Sequence, residues 1–212
     1  MMKAEFSDEL IIKARQEQEK LEEARHSEEV VEKEVKQSIY DEVVHIFAIP
    51  VVFKDMELLE GKARMRMPED FTARSEEEIA SVYCLGTKPQ YVFSNGYLRF
   101  MVALNWTSNL IFDENIFDFT RFAKQAIERI GPKSRILNVE KQRQEGHNLA
   151  IMEFIAQTID SVNDNVMFFA SLEGRLVIGS ITFDQKFAKR LRPLTLEMAK
   201  SFQLLEKEEK EE

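Results

Sequence analysis

Apolar and polar residues along this chain follow two different periods, and the switches between them mark out its elements. Residues 8–44 contain neither Gly nor Pro and read as a helix, with Ser7 or Asp8 able to cap its start. The first part, through Glu29, is mostly charged. Further on, Val31, Val35, Ile39 and Val43 recur every fourth residue, flanked by Val30, Tyr40 and Val44, so residues 28–44 form an amphipathic stripe that needs a docking surface. No heptad pattern is sustained over several turns, which argues against a coiled coil.

Period-two patterns follow. Residues 46–53 are an apolar extended run that Pro50 restricts to a sheet edge or a bulge. In Lys62–Pro68, Ala63, Met65 and Met67 alternate with Lys62, Arg64 and Arg66, the pattern of a half-exposed strand. Ser75-Glu76-Glu77-Glu78 is a capping box opening a short helix to about Tyr83. Asn95-Gly96, between Tyr91–Ser94 and Tyr97–Leu104, signals a hairpin whose turn residues take positive φ. Asp113 is placed to cap a helix over 115–130, with Ile116, Phe119, Ala123, Ile127 and Ile130 on its apolar face and Gly131-Pro132 at its end.

A meander of strands follows, over about 135–144, 147–158, 165–172 and 175–183. The last two are apolar on both faces, so they belong in the middle of a sheet covered above and below. Leu191, Leu194, Met198, Phe202 and Leu205 make a terminal helix, with Pro193 in its first turn or at a kink. The expected fold is α+β: an α/β/α sandwich around a mainly antiparallel sheet, preceded by a long acidic helix. The organisation is a helical segment over 1–45, a folded domain over 46–205 and an acidic tail over 206–212.

Several stretches resemble bacterial members of the Mog1/PsbP-like superfamily. They are Met67-Pro68-Glu69-Asp70-Phe71, Ser75 to Ile79, Lys88-Pro89-Gln90-Tyr91-Val92-Phe93-Ser94, and Gly179 to Phe183 followed by a helix with Pro193 and Phe202. The resemblance covers about residues 46–205 and implies the same sandwich. It also implies a role in binding other proteins: the family's characterised members are a nuclear-import cofactor, a photosystem II extrinsic subunit and chaperones for secreted effectors. No binding residue of theirs maps onto this chain, and a shared fold does not transfer a function.

Charge sharpens the picture. The net charge is −9 over 212 residues, and the excess acid lies at the two ends. An acidic chain without a basic stripe is a poor ligand for nucleic acid or for anionic lipid. The single cysteine, Cys84, excludes an intrachain disulfide. With no apolar run long enough for a membrane span, the expected location is the cytoplasm.

Candidate chemistry is thin. His26, His45 and His147 are far apart and read as surface or interfacial residues, and Cys84 has no neighbouring histidine. No phosphate-binding glycine loop occurs, and no cofactor is implied. Glu153, with Ile151 and Ile155 as same-face neighbours, is the most site-like carboxylate. It is either a base or polar anchor at an apolar pocket, or a structural group paired with Arg99 or Arg175 or exposed near an edge. Asp113, Glu114 and Asp118 suggest either a divalent cation or simple complementarity to a helix N-terminus. The predicted loop 105–117 carries Trp106, Leu110, Phe112 and Phe117, which form a partner patch or else cover the sheet. Lys186, Lys189, Arg190 and Arg192 read as a solvated basic face or as a dock for the acidic helix. The favoured reading is a non-enzymatic adaptor or chaperone, binding another protein or self-associating through the stripe of Val31, Val35, Ile39 and Val43. The alternative is a small-ligand binder or enzyme with a pocket at Glu153.

Overall fold

The computed structural model describes residues 37–83, 88–131, 133–144, 146–157 and 161–205. Val31, Val35, His26 and Cys84 lie outside them, as does the helix expected over 8–44 up to residue 36. Where that helix was expected to finish, the structure differs. The compact unit begins at Ser38. Ser38 N donates to Asp41 Oδ2 (2.9 Å) and Asp41 N to Ser38 O (3.0 Å), closing a turn. The carboxylate of Glu197 accepts from both Ser38 Oγ (2.8 Å) and Ile39 N (2.9 Å), while Arg66 Nε donates to Ile39 O (2.8 Å). Side chains from distant segments thus satisfy the backbone groups that a helix would have paired. Ile39 is buried in the core and Val43 is exposed, so the two do not share a stripe.

Removing the Glu197 carboxylate leaves two donors without an acceptor. Glu197→Ala is expected to cost about 2 kcal/mol and to accelerate hydrogen exchange at the Ile39 amide, read by denaturant titration and by exchange mass spectrometry.

The apolar run at 46–53 divides into a small hairpin, β1 (Val44–Ile46) against β2 (Ile49–Val51), turning at Phe47 and Ala48 with φ of 52° and 62°. Pro50 lies in this two-stranded sheet opposite His45, an edge position as expected. β3 (Phe53–Leu58) and β4 (Ala63–Pro68) then pair, and Ala63, Met65 and Met67 face inward as their alternation predicted.

The main sheet has seven strands: β5 (Thr72–Ala73), β6 (Tyr91–Ser94), β7 (Phe100–Leu110), β8 (Arg135–Gln144), β9 (His147–Gln157), β10 (Val162–Leu172) and β11 (Arg175–Asp184). Their order is β5-β6-β7-β11-β10-β9-β8, with every pairing antiparallel. The doubly apolar strands β10 and β11 are interior, as their composition required.

The pleat sorts residues between two layers. Phe100, Val102, Leu104, Leu149, Ile151, Val166, Phe168, Val177 and Ile181 face the larger core, which also holds Leu191, Leu194, Met198 and Phe202. Ala150, Met152, Phe154, Phe169 and Leu176 face the other way, toward Ile116 and its helix. One face is therefore covered by α1 (Glu76–Val82) and α2 (Ile116–Ile130). The opposite face is covered by α3 (Ala188–Lys200) together with a three-stranded sheet in which β12 (Gln203–Leu204) joins β4 and β3. The sandwich is present, but a second sheet shares one of its outer layers.

Three local expectations change. The Asn95-Gly96 hairpin exists, but neither residue takes positive φ. Asn95 Oδ1 accepts from Tyr97 N (3.3 Å) and Leu98 N (2.9 Å), and Arg99 instead occupies the left-handed region at φ 63°. The terminal helix stops at Lys200, because Phe202 turns into the core against Phe168 and the chain re-enters a strand. Pro193 lies inside that helix, which starts earlier than expected from a turn of 3₁₀ helix over Gln185–Phe187. Among the described residues, no helix is long and apolar enough to cross a membrane.

Candidate functional site

β7 continues to Leu110, so the first part of the predicted loop over 105–117 is strand. Its register against β11 shifts between Arg175, opposite Leu110, and Val177, opposite Trp106. The extra β7 residues form a bulge. Arg175 spans it, donating from Nε to Thr107 O (2.8 Å) and from Nη2 to Trp106 O (3.3 Å). The bulge separates the four aromatic and aliphatic candidates. Trp106 packs against the core, donates its indole N–H to Leu172 O (3.2 Å), and has Lys62 Nζ and the Arg175 guanidinium 4.4 and 4.3 Å from its ring. Phe117 is half-buried and packs with the second cluster beneath Lys141. Both cover the sheet.

Leu110 and Phe112 do not. They are 87 % and 69 % exposed. Ile111 between them packs inward, and its backbone is fixed on both sides: its N–H donates to Gly174 O (2.9 Å) and its carbonyl accepts from Ser171 Oγ (2.8 Å). Asp113, expected to cap the following helix, instead accepts from Asn148 N (2.8 Å) and Asn148 Nδ2 (2.7 Å), tying the corner to β9. Two large apolar side chains thus project into solvent from a backbone that is pinned at every step.

The carboxylates singled out in the sequence have other work. With Asp113 bound to Asn148 and Asp118 nearest Arg121, the acidic trio does not converge on one point. Glu153 is buried in β9 and accepts from Asn138 Nδ2 (3.1 Å), so neither Arg99 nor Arg175 is its partner. Asp164, which the sequence did not single out, is wholly buried in β10 and ion-paired with Arg192. That pairing removes Arg192 from the expected solvated basic face. His147, expected at the surface or at an interface, is buried at the start of β9, while His45 is exposed in β1.

A cleft does exist, away from Glu153. α1 is only seven residues long and covers β6 and β7 through Ile79, leaving the ends of β10 and β11 open beside it. The resulting hollow encloses about 550 Å³. Asn163 and Thr182 line one side, with Ile79, Val82, Phe100 and Met101 supplying apolar walls. The sheet face beneath the helices is therefore not wholly sealed, contrary to what two apolar faces implied.

Four charged groups line the hollow, and three are committed. Arg74 donates to Ser94 Oγ (2.8 Å) and to Glu78 (3.0 Å). The Ser75 backbone N–H, and next the Arg74 guanidinium, hold the Glu78 carboxyl below its ordinary range. Asp184 is held low by Lys186, whose ammonium lies 2.7 Å away and whose backbone N–H donates to it at 2.9 Å. Burial pushes the phenol of Tyr83, on the same wall, upward. The Arg99 side chain has no hydrogen bond or ion pair among the described residues, and it too lines the hollow.

No family model matches the sequence, and no curated protein matches it. Among solved structures, the chain is similar to cyanobacterial PsbP (CyanoP) from Synechocystis sp. PCC 6803, with a TM-score of 0.52 and 12 % identity over 72 % of this chain and 92 % of that one. A Pseudomonas aeruginosa protein of unknown function, PA94, described as a putative regulator, matches with a TM-score of 0.42 and 11 % identity over 73 % of this chain and 97 % of that one. The likeness to CyanoP shows a PsbP-like α+β fold.

Proposed function

We propose that this chain is a non-catalytic protein-binding module whose partner seats on the corner made by Leu110 and Phe112. The observation that carries the reading is the pairing of exposure with rigidity. Large apolar side chains in water are unfavourable, and a fixed backbone lets them be buried by a partner at little ordering cost. The commitment of Asp113, Glu153, Asp164 and Glu197 to structural partners supports the non-catalytic part. The PsbP-like fold is compatible with it and adds no identity for the partner.

The test compares the full chain with Leu110→Ser/Phe112→Ser and with Phe122→Ser, an equally exposed change on α2. In co-purification from its own cells, the double variant is expected to retain at least tenfold less of the associated protein. Phe122→Ser is expected to behave as wild type, and both variants to keep the parent's melting temperature within a few degrees. Sedimentation decides whether the partner is a second copy. Equal recovery and equal sedimentation for all three chains contradict the proposal.

A further inference from the structure

We infer that the hollow beside α1 is a binding site for a small amphiphilic anion, an apolar body carrying one carboxylate-like head, with Arg99 holding the head. The site is separate from the Leu110–Phe112 corner. Its volume of about 550 Å³ falls within the range of small-molecule sites, which are largely apolar with a few placed polar groups. Ile79, Val82 and Met101 offer the apolar wall, and Val82 is itself largely exposed there.

The head group follows from charge accounting around the lining. Glu78 is neutralised by Arg74 and already accepts a backbone N–H, and Asp184 is neutralised by Lys186. A cationic ligand would have to displace one of those ammonium or guanidinium partners. Arg99 is the lining charge left without a counter-ion among the described residues, and its fork of donors matches a carboxylate.

Its backbone supports the same conclusion. Arg99 is left-handed at φ 63°, a conformation that glycine adopts without cost and arginine does not. The Asn95 side chain, bound to the Tyr97 and Leu98 N–H groups, shapes the turn that leads into it, and the wholly buried Leu98 anchors that turn. The Arg99 side chain makes no internal bond among the described residues and lines the hollow, which sets it apart from Glu60, left-handed at φ 60° in the turn between β3 and β4. Such strain is commonly retained where a side chain is needed for binding.

Calorimetric titration of the full chain with decanoate, below its micelle concentration, tests the inference. Decylammonium and decanol serve as matched chains with the opposite and with no charge. Decanoate is expected to bind saturably, one per chain, and at least tenfold more tightly than either. Arg99→Gln is expected to lose about tenfold in decanoate affinity. Arg99→Gly is expected to lose as much while raising the melting temperature, because it relieves the left-handed arginine, so lost binding there is not lost folding. Leu110→Ser/Phe112→Ser is expected to bind decanoate as wild type does, which keeps the fate of this site separate from that of the corner. Absence of saturable decanoate binding, equal binding of decylammonium, or undiminished affinity in Arg99→Gln and Arg99→Gly overturns the inference.

Discussion

Gly179→Ala is expected to destabilise the domain by about 3 kcal/mol and to lower its melting temperature by roughly 10 °C, as read by calorimetry or denaturant titration. Gly179 sits in β11 directly opposite Phe168 of β10. The Phe168 ring lies over the glycine so closely that an added Cβ would fall 1.9 Å from Cζ and 2.3 Å from each Cε. The ring has no free space to retreat into. It is wholly buried within the larger core, and Phe202 packs on it, 4.9 Å away between centroids, where the chain leaves α3. An alanine must therefore push apart the strand pair or displace the segment that closes the core. Phe168→Leu in the Gly179→Ala background should recover part of the loss, and a coupling energy of about 1 kcal/mol or more between the two sites marks the contact as the cause. Simple additivity would show that the glycine matters for some other reason.

The Asp164–Arg192 pair should respond asymmetrically to losing one partner or the other. Asp164 is wholly buried, whereas the Arg192 side chain is 34 % exposed. Arg192→Met strands a carboxylate in the interior and is expected to cost about 3 kcal/mol or more. Asp164→Leu leaves a guanidinium that can swing into water, so its cost should be clearly smaller. The double variant is expected to be more stable than Arg192→Met alone, because an apolar pair replaces an isolated charge. Stability of the three proteins in urea measures the ordering. Equal losses for the two single changes would show that Arg192, too, has no access to solvent.

Much of this fold can be read from local pattern. The capping box at Ser75 and Glu78 forms both of its bonds, and the Met65–Met67 face is buried where alternation put it. The meander strands fall close to their expected limits, because each boundary carries its own turn residues. What the pattern concealed depends on distant partners. The apolar spacing runs on through Ile39 in the sequence, yet Ser38 and Asp41 close a turn around it. Glu197, about 160 positions away, holds that turn in place, its carboxylate accepting from the Ser38 hydroxyl and the Ile39 N–H. The Phe47-Ala48 turn uses positive φ without Gly, Asn or Asp, so it has no sequence signature. In the candidate patch, the sequence offers four large apolar residues but says nothing of their orientation. A bulge bridged by Arg175 turns Trp106 inward, and only Leu110 and Phe112 remain outside. The hollow beside α1 was hidden because apolar patterning says which face a helix covers, and not how far a helix of seven residues reaches.

The corner itself can be interrogated most directly by placing a photo-crosslinking phenylalanine analogue at position 112 of the full chain and irradiating it in the cells that make it. A single discrete adduct, absent when the analogue is at position 122 and abolished by Leu110→Ser, is the expected result. A diffuse ladder of adducts, or the same products from both positions, would contradict a dedicated docking surface at this corner.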